Sequence, residues 1–180
     1  YEVIAQREHL SADRQTVTER IEGLYNTTAT FVNGQITTLT QNATTQFDTE
    51  QAALLEAFKT NTRRDIAAYK RERYSTPIVG WGRWLKDKFV SINNLPRVKG
   101  IYTTRRTEYV TGITALINRL TAQADGMIAL CRLMIVTTRV AIDAIVAAQG
   151  PRYAREAAEA RDRVNQQFQQ LERQVEAAGR

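Results

Sequence analysis

The sequence predicts an all-α fold: a long antiparallel helical hairpin, a short amphipathic helix at its tip and a third, C-terminal helix. Three observations carry this. Apolar residues recur every eleven positions in steps of four, three and four; only three prolines, at 77, 96 and 151, interrupt 180 residues; and few stretches alternate as a strand would. Eleven residues in three turns is about 3.67 per turn, close to a relaxed α-helix. A hendecad seam of this kind stays on one face of long, nearly straight helices packed side by side.

Residues 1–74 read as one Thr/Gln-rich helix, beginning near the N-terminus or at an N-cap on Ser11. One ladder runs Ile21, Val32, Ala43, Leu54, and a second runs Tyr25, Ile36, Phe47, Phe58, Tyr69. Its threonines lower intrinsic helix propensity, so tertiary packing must hold it helical. Gly23 and Gly34 lie inside it, each costing about 1 kcal/mol against alanine. They are expected to permit close approach of a neighbouring helix. Unbroken from Ser11, the helix would extend about 95 Å at 1.5 Å per residue.

Residues 75–95 form the expected tip. Pro77 lacks a donor and biases Thr76 away from helical geometry, which stops the first helix. Trp81, Trp84, Leu85 and Phe89 then fall on one face at helical spacing, opposite Arg83 and Lys86. Asn94 is the expected N-cap of the second long helix, with Pro96 in its first turn.

That helix, 96–149, carries Val98, Tyr109, Leu120, Cys131 and Ile142, shadowed by Tyr102, Ile113, Ala124, Ile135 and Val146. Gly150-Pro151 is the stop-and-restart signal. The last helix, within 150–180, keeps the period with Tyr153, Val164 and Val175, and with Ala157 and Phe168. A hairpin of the two long helices predicts close contact between residues near Phe58 and residues near Ile113. The three segments are expected to make one elongated domain. Neighbouring chains or further parts of the same polypeptide would cover the apolar surface left over.

Charge is uneven. The net +6 conceals thirteen cations against four acids between Lys59 and Glu108, a segment of +9. The hairpin brings these cations to the end that carries the tryptophans. Trp81, Arg83, Trp84, Lys86 and Lys88 are therefore the candidate contact residues. They fit a solvated basic cap, an acidic protein surface, or an anionic membrane with tryptophans at the interface and arginines at headgroups. Charge alone would also suit nucleic acid, but no recognition module is legible, so nucleic acid is not an expected partner.

Chemistry-bearing constellations are not legible. Cys131 is single and occupies a ladder position, which suits a small buried hydrophobe. His9 has no companion ligand, so no metal site is expected. No glycine-rich phosphate loop follows a strand, and no nucleophile–base pair can be argued, so neither catalysis nor a cofactor is expected. The apolar run Met127–Ala148 has the length of a bilayer span, but Arg132, Arg139 and Asp143 interrupt it. Each would cost about 2.5–3.5 kcal/mol near a span centre, so a bundle core is the better reading. The chain starts without methionine, at residues that already read as helix, and is expected to be a fragment of a longer protein.

Several residues together resemble a known family. They are Trp81-Gly82-Arg83-Trp84-Leu85, Leu95-Pro96, Ile101-Tyr102, Tyr109-Val110, Ala129-Leu130, Val146-Ala147-Ala148 and the closing run Gln167–Val175. This pattern is similar to the long α-helical region of large proteins associated with bacterial extracellular contractile injection systems, which are phage-tail-like particles. In that family a metallopeptidase-like region often lies upstream and toxin-like domains downstream. The likeness covers most of residues 75–178. It implies a non-enzymatic helical segment of a cargo or effector-like polypeptide, bacterial, packaged in or secreted with such a particle. Its role would be packaging, delivery or scaffolding, with other chains of the particle as partners. The family's peptidase motif has no counterpart here, so no catalytic residue is carried over. A membrane-active helical toxin or translocation module is the alternative expectation.

Overall fold

The computed structural model describes residues 2–75, 83 and 94–180, except for the side chains of residues 2, 5 and 8–12. Three long helices account for nearly all of them: α1 (Glu2–Arg73), α2 (Pro96–Ala147) and α3 (Ala154–Ala178). No strand occurs among the described residues, and the fold is all-α. The tryptophan-bearing tip helix falls outside the described residues apart from Arg83, whose backbone is helical.

Helix ends follow from local chemistry. Lys70, Arg71 and Arg73 crowd the last turn of α1, where cations oppose the negative end of the helix dipole. The Ser75 hydroxyl donates to the Glu72 carbonyl at 2.9 Å and satisfies one orphan acceptor there. At the start of α2 the Lys99 amide donates to the Leu95 carbonyl at 3.0 Å. Leu95 therefore stands where Asn94 was expected, and Pro96 occupies the first helical position. α2 stops at Ala147 without a left-handed glycine, since Gly150 has no positive φ. Instead the Gln149 side-chain amide donates to the Ile145 carbonyl, and the Gly150 carbonyl accepts from the Tyr153 and Ala154 amides to begin α3.

Several threonine hydroxyls are satisfied inside their own helices by bonding back one turn. Thr27 donates to the Gly23 carbonyl, Thr40 to Ile36, Thr103 to Lys99, Thr107 to Thr103 and Thr114 to Val110, at 2.8–3.0 Å. The first expected ladder of α1 is buried at Ile21 and Val32 and half-buried at Ala43 and Leu54. The second is half-buried from Tyr25 to Phe58 and buried at Tyr69. α2 departs from expectation at Tyr102, which is 41% exposed, while Ile101 beside it turns inward.

The chain forms two compact units, and α1 and α2 contribute to both. In Ala43–Thr121, α1 and α2 run antiparallel. The Phe58 and Tyr109 rings lie 6.2 Å apart at 58°, and the Gln51 amide donates to the Tyr109 hydroxyl at 3.3 Å. These are the hairpin contacts expected near Phe58 and Ile113. Leu54 lies directly over Gly112, where an added Cβ would stand 2.7 Å from Leu54 Cδ2. Close approach therefore occurs at Gly112. It does not occur at Gly23 or Gly34, whose surroundings are open to 4 Å, because both lie on the solvent side of α1.

In the other unit, Tyr1–Asn42 with Ala122–Arg180, three helical segments enclose a core. α3 has the clearest amphipathic pattern: Ala157, Ala160, Val164, Phe168, Leu171 and Val175 are buried, at steps of three and four. It folds back antiparallel to α2, with Arg139 bridging to Glu172 at 2.7 Å. Along α1, Arg14 meets Glu156 at 3.0 Å, and the Tyr25 and Phe168 rings meet edge-to-face at 4.9 Å. Phe168 is fully buried among Ile21, Val32 and Ile135, and burial of such a ring is worth about 1.5–3 kcal/mol. The Met127–Ala148 run thus serves as core on its inward side. No described helix is long and apolar enough to cross a membrane.

Candidate functional site

The basic end of the Ala43–Thr121 unit is the candidate site, and it is assembled from both helices. Tyr69, the last member of its ladder, is 8% exposed at the close of α1. Arg97, one residue into α2, lays its guanidinium over the Tyr69 ring at 5.1 Å. Arg73, one turn beyond Tyr69, approaches the same ring at 5.9 Å and donates to the Tyr69 hydroxyl at 3.2 Å. A cation over an aromatic face is attracted by the ring quadrupole, so Tyr69 organises the two arginines.

Glu72 balances part of this charge. Arg97 grips it in a fork, Nη2 to Oε2 at 2.8 Å and Nη1 to Oε1 at 3.2 Å. These hydrogen bonds hold the Arg97 guanidinium still more firmly protonated. Arg83 reaches back to donate Nη1–H to the Arg73 carbonyl at 3.3 Å, satisfying an acceptor that α1 leaves open at its C-terminus. Tyr69, Glu72, Arg73, Arg83 and Arg97 surround an open recess of about 300 Å³. Among the described residues, three guanidiniums against one carboxylate give its lining a net positive charge, suited to an acidic group.

Two turns earlier in α1 a second cluster joins the same helices. Arg105 donates to Asp65 Oδ2 through Nε at 2.8 Å and Nη2 at 2.6 Å, and to Glu108 through Nη1 at 2.7 Å. The hydrogen bonds from Arg105 hold the Asp65 carboxyl below its ordinary value. Arg64 also meets Asp65, Nε to Oδ1 at 3.5 Å, so two cations balance two carboxylates in this cluster, with Arg105 only 20% exposed. It fixes helix register and leaves the end recess as the positively charged feature.

Of the residues singled out from sequence, Arg83 takes part in this recess. Trp81, Trp84, Lys86 and Lys88 lie outside the described residues. Tyr69, Glu72, Arg73 and Arg97 were not foreseen as a group. The local signal was the Tyr69/Arg73 spacing of four; the link to Arg97 depends on pairing the end of one helix with the start of the next. His9 lies outside the described side chains, and Cys131 is buried with its thiol pushed up by burial. Among the described residues no three His, Cys, Asp or Glu side chains gather as a metal site would require. No family model matches the chain, and neither a curated protein nor a solved structure was found similar to it.

Proposed function

We propose that the chain is a non-enzymatic helical scaffold segment whose basic end docks an acidic protein surface. The carrying observation is the use made of its ionic side chains between helices. Arg14–Glu156, Arg163–Glu22 and Arg139–Glu172 tie helices together in the three-helix unit. Arg119–Glu50, Arg105–Asp65 and Arg97–Glu72 do so in the hairpin unit. Ion pairs near the surface contribute modestly each, and what these six share is that every one joins two different helices. A chain whose charges join its helices is suited to holding attached domains.

The resemblance at Trp81–Leu85, Leu95-Pro96 and Gln167–Val175 supplies the proposed setting. The segment belongs to a cargo or effector-like polypeptide packaged in, or delivered by, a contractile phage-tail-like particle. The test is co-sedimentation of the polypeptide with purified particles, with protease protection as the second readout. Protection while the particle is intact, lost when it is opened, supports the setting; full sensitivity in the intact particle overturns it. Docking through the basic end predicts salt-sensitive binding to a particle component, weakened by Arg73→Glu with Arg97→Glu. Dye release from vesicles of phosphatidylcholine and phosphatidylglycerol (3:1), abolished by Trp81→Ala with Trp84→Ala, would overturn the scaffold in favour of a membrane-active module.

A further inference from the structure

In the three-helix unit, α2 leaves an apolar face uncovered. Leu130, Leu133, Val136 and Val140 are 42%, 60%, 55% and 62% exposed. Ala129, Ala144 and Ala147 continue the same side of the helix in exposed positions. A lone exposed leucine needs no explanation, but a stripe repeating every three or four residues marks an interaction surface. The outward side of α3 carries no such residue among those described; Arg155, Glu159, Arg163 and Arg173 stand there instead.

Charge identifies the occupant. Arg132 and Asp143 are eleven residues apart, which is three full turns, so they stand on the same edge of the stripe. Both are exposed, and neither forms an ion pair within the described chain. Arg139, nearer the core on that side, is committed to Glu172 and to the Phe168 ring at 5.5 Å. The opposite edge, at Leu130, Met134 and Ala141, is uncharged.

Two copies of α2 laid face to face in antiparallel fashion are related by a two-fold axis that brings like edges together. With that axis level with Thr137 and Thr138, Arg132 of each copy stands opposite Asp143 of the other, and two ion pairs form. The same register sets Leu130 and Leu133 near Val140, Ala144 and Ala147 of the second copy. Large side chains at one end of the stripe meet small ones at the other, as interdigitated helix packing requires. Parallel pairing would instead bring the charged edge against the uncharged one and set leucine against leucine.

We infer that the uncovered face of α2 between Ala129 and Ala147 is the dimer interface of this chain, formed by antiparallel pairing with a second copy and registered by reciprocal Arg132–Asp143 ion pairs. This holds whether or not the polypeptide travels in a contractile particle, and its test does not involve one.

The experiment is sedimentation equilibrium of the 180-residue chain from about 1 to 100 µM. A dimer of the 20.4 kDa chain is expected within this range. Val140→Glu should give a monomer with unchanged helicity by circular dichroism, because Val140 faces solvent in the single chain. Arg132→Asp and Asp143→Arg should each weaken dimerisation by about tenfold, since like charges then face one another. The double swap should restore it to within about threefold, which a nonspecific apolar association would not do. A wild-type chain that stays monomeric at 100 µM overturns the inference. So does a dimer indifferent to Val140→Glu, a swap that fails to restore, or a monomer whose vesicle binding is what Val140→Glu removes.

Discussion

The hydroxyls of Thr28 and Thr138 meet at 2.6 Å in the buried seam between α1 and α2, 110 residues apart in sequence. They are 3% and 8% exposed, amid a core otherwise built of apolar side chains such as Ile21, Val32, Ile135 and Phe168. Such a pair contributes modestly while intact, but removing one member leaves the other buried without its partner. Thr28→Val alone should therefore destabilise the chain by about 1–3 kcal/mol, and Thr138→Val likewise. The double variant should lie close to wild type, because two shape-matched apolar side chains replace the pair. Urea unfolding of the four proteins closes the cycle. Additive losses would show that the hydroxyls do not act together.

Gly23 and Gly34 should be improved by alanine. Both lie within α1, with nothing within 4 Å of an added Cβ, so the substitution meets no neighbour and removes backbone freedom from the unfolded chain. Each should raise stability by about 0.5–1 kcal/mol. Gly112→Ala gains the same propensity but must push the Leu54 methyls aside, so its net change should be smaller. Thermal melts of the three single variants test this order.

Asp65 and Arg105 confer a pH dependence whose direction is fixed by their geometry. Hydrogen bonds from Arg105 hold the folded-state carboxyl below the ordinary 3.8, outweighing the burial that opposes ionisation. A carboxyl lowered on folding contributes stability fully above its unfolded value and loses it as pH falls through the folded one. Stability should therefore decline from about pH 5 downward, as this carboxylate is protonated. Asp65→Asn should flatten that part of the profile and lower the plateau at neutral pH. An unchanged slope would mean that other carboxylates carry the acid sensitivity.

Cys131 should behave as a core residue toward reagents. It is 1% exposed, and burial pushes its thiol up, so thiolate is scarce and out of reach at neutral pH. Labelling by a disulfide reagent should be negligible in native buffer. Across a urea titration it should appear together with the loss of helical signal. Rapid labelling without denaturant would show that the α2–α3 contact opens independently.

Reading apolar residues alone made the seam legible from Ile21 to Tyr69, because their spacing matches the helical repeat whatever lies opposite. The seam's polar members escaped for the same reason. Thr28, Glu50 and Asn61 are also inward or half-buried and share the eleven-residue spacing, but a search for hydrophobes passes over them. Thr28 meets Thr138 and Glu50 meets Arg119, relationships that depend on which turn of one helix faces which turn of the other. Register across a hairpin is not encoded in either helix by itself. The same gap hid the Arg97–Tyr69 stack and misassigned close approach to Gly23 and Gly34. The basic character of the hairpin end was legible because charge density needs no register.

The two units differ in how much apolar surface they bury, and that difference should appear in hydrogen exchange. The three-helix unit encloses Ile21, Val32, Ile135, Ile142, Val164 and Phe168 at no more than 1% exposure. The Ala43–Thr121 unit is a two-helix pair, and among its described residues only Tyr69, Val98 and Leu116 are buried hydrophobics. Two helices can cover only one stripe of each other, so more of their backbone opens to solvent at a lower cost. Amides of residues 47–66 and 101–116 should exchange at least about tenfold faster than those of 21–36, 128–142 and 160–175, a gap of about 1.4 kcal/mol in opening free energy. The comparison is internal to α1 and α2, since each helix contributes to both units, and intrinsic rates can be divided out residue by residue. Uniform protection along α1 would mean that the whole chain opens as one cooperative body, and that the ion pairs of the hairpin unit supply what its thin core does not.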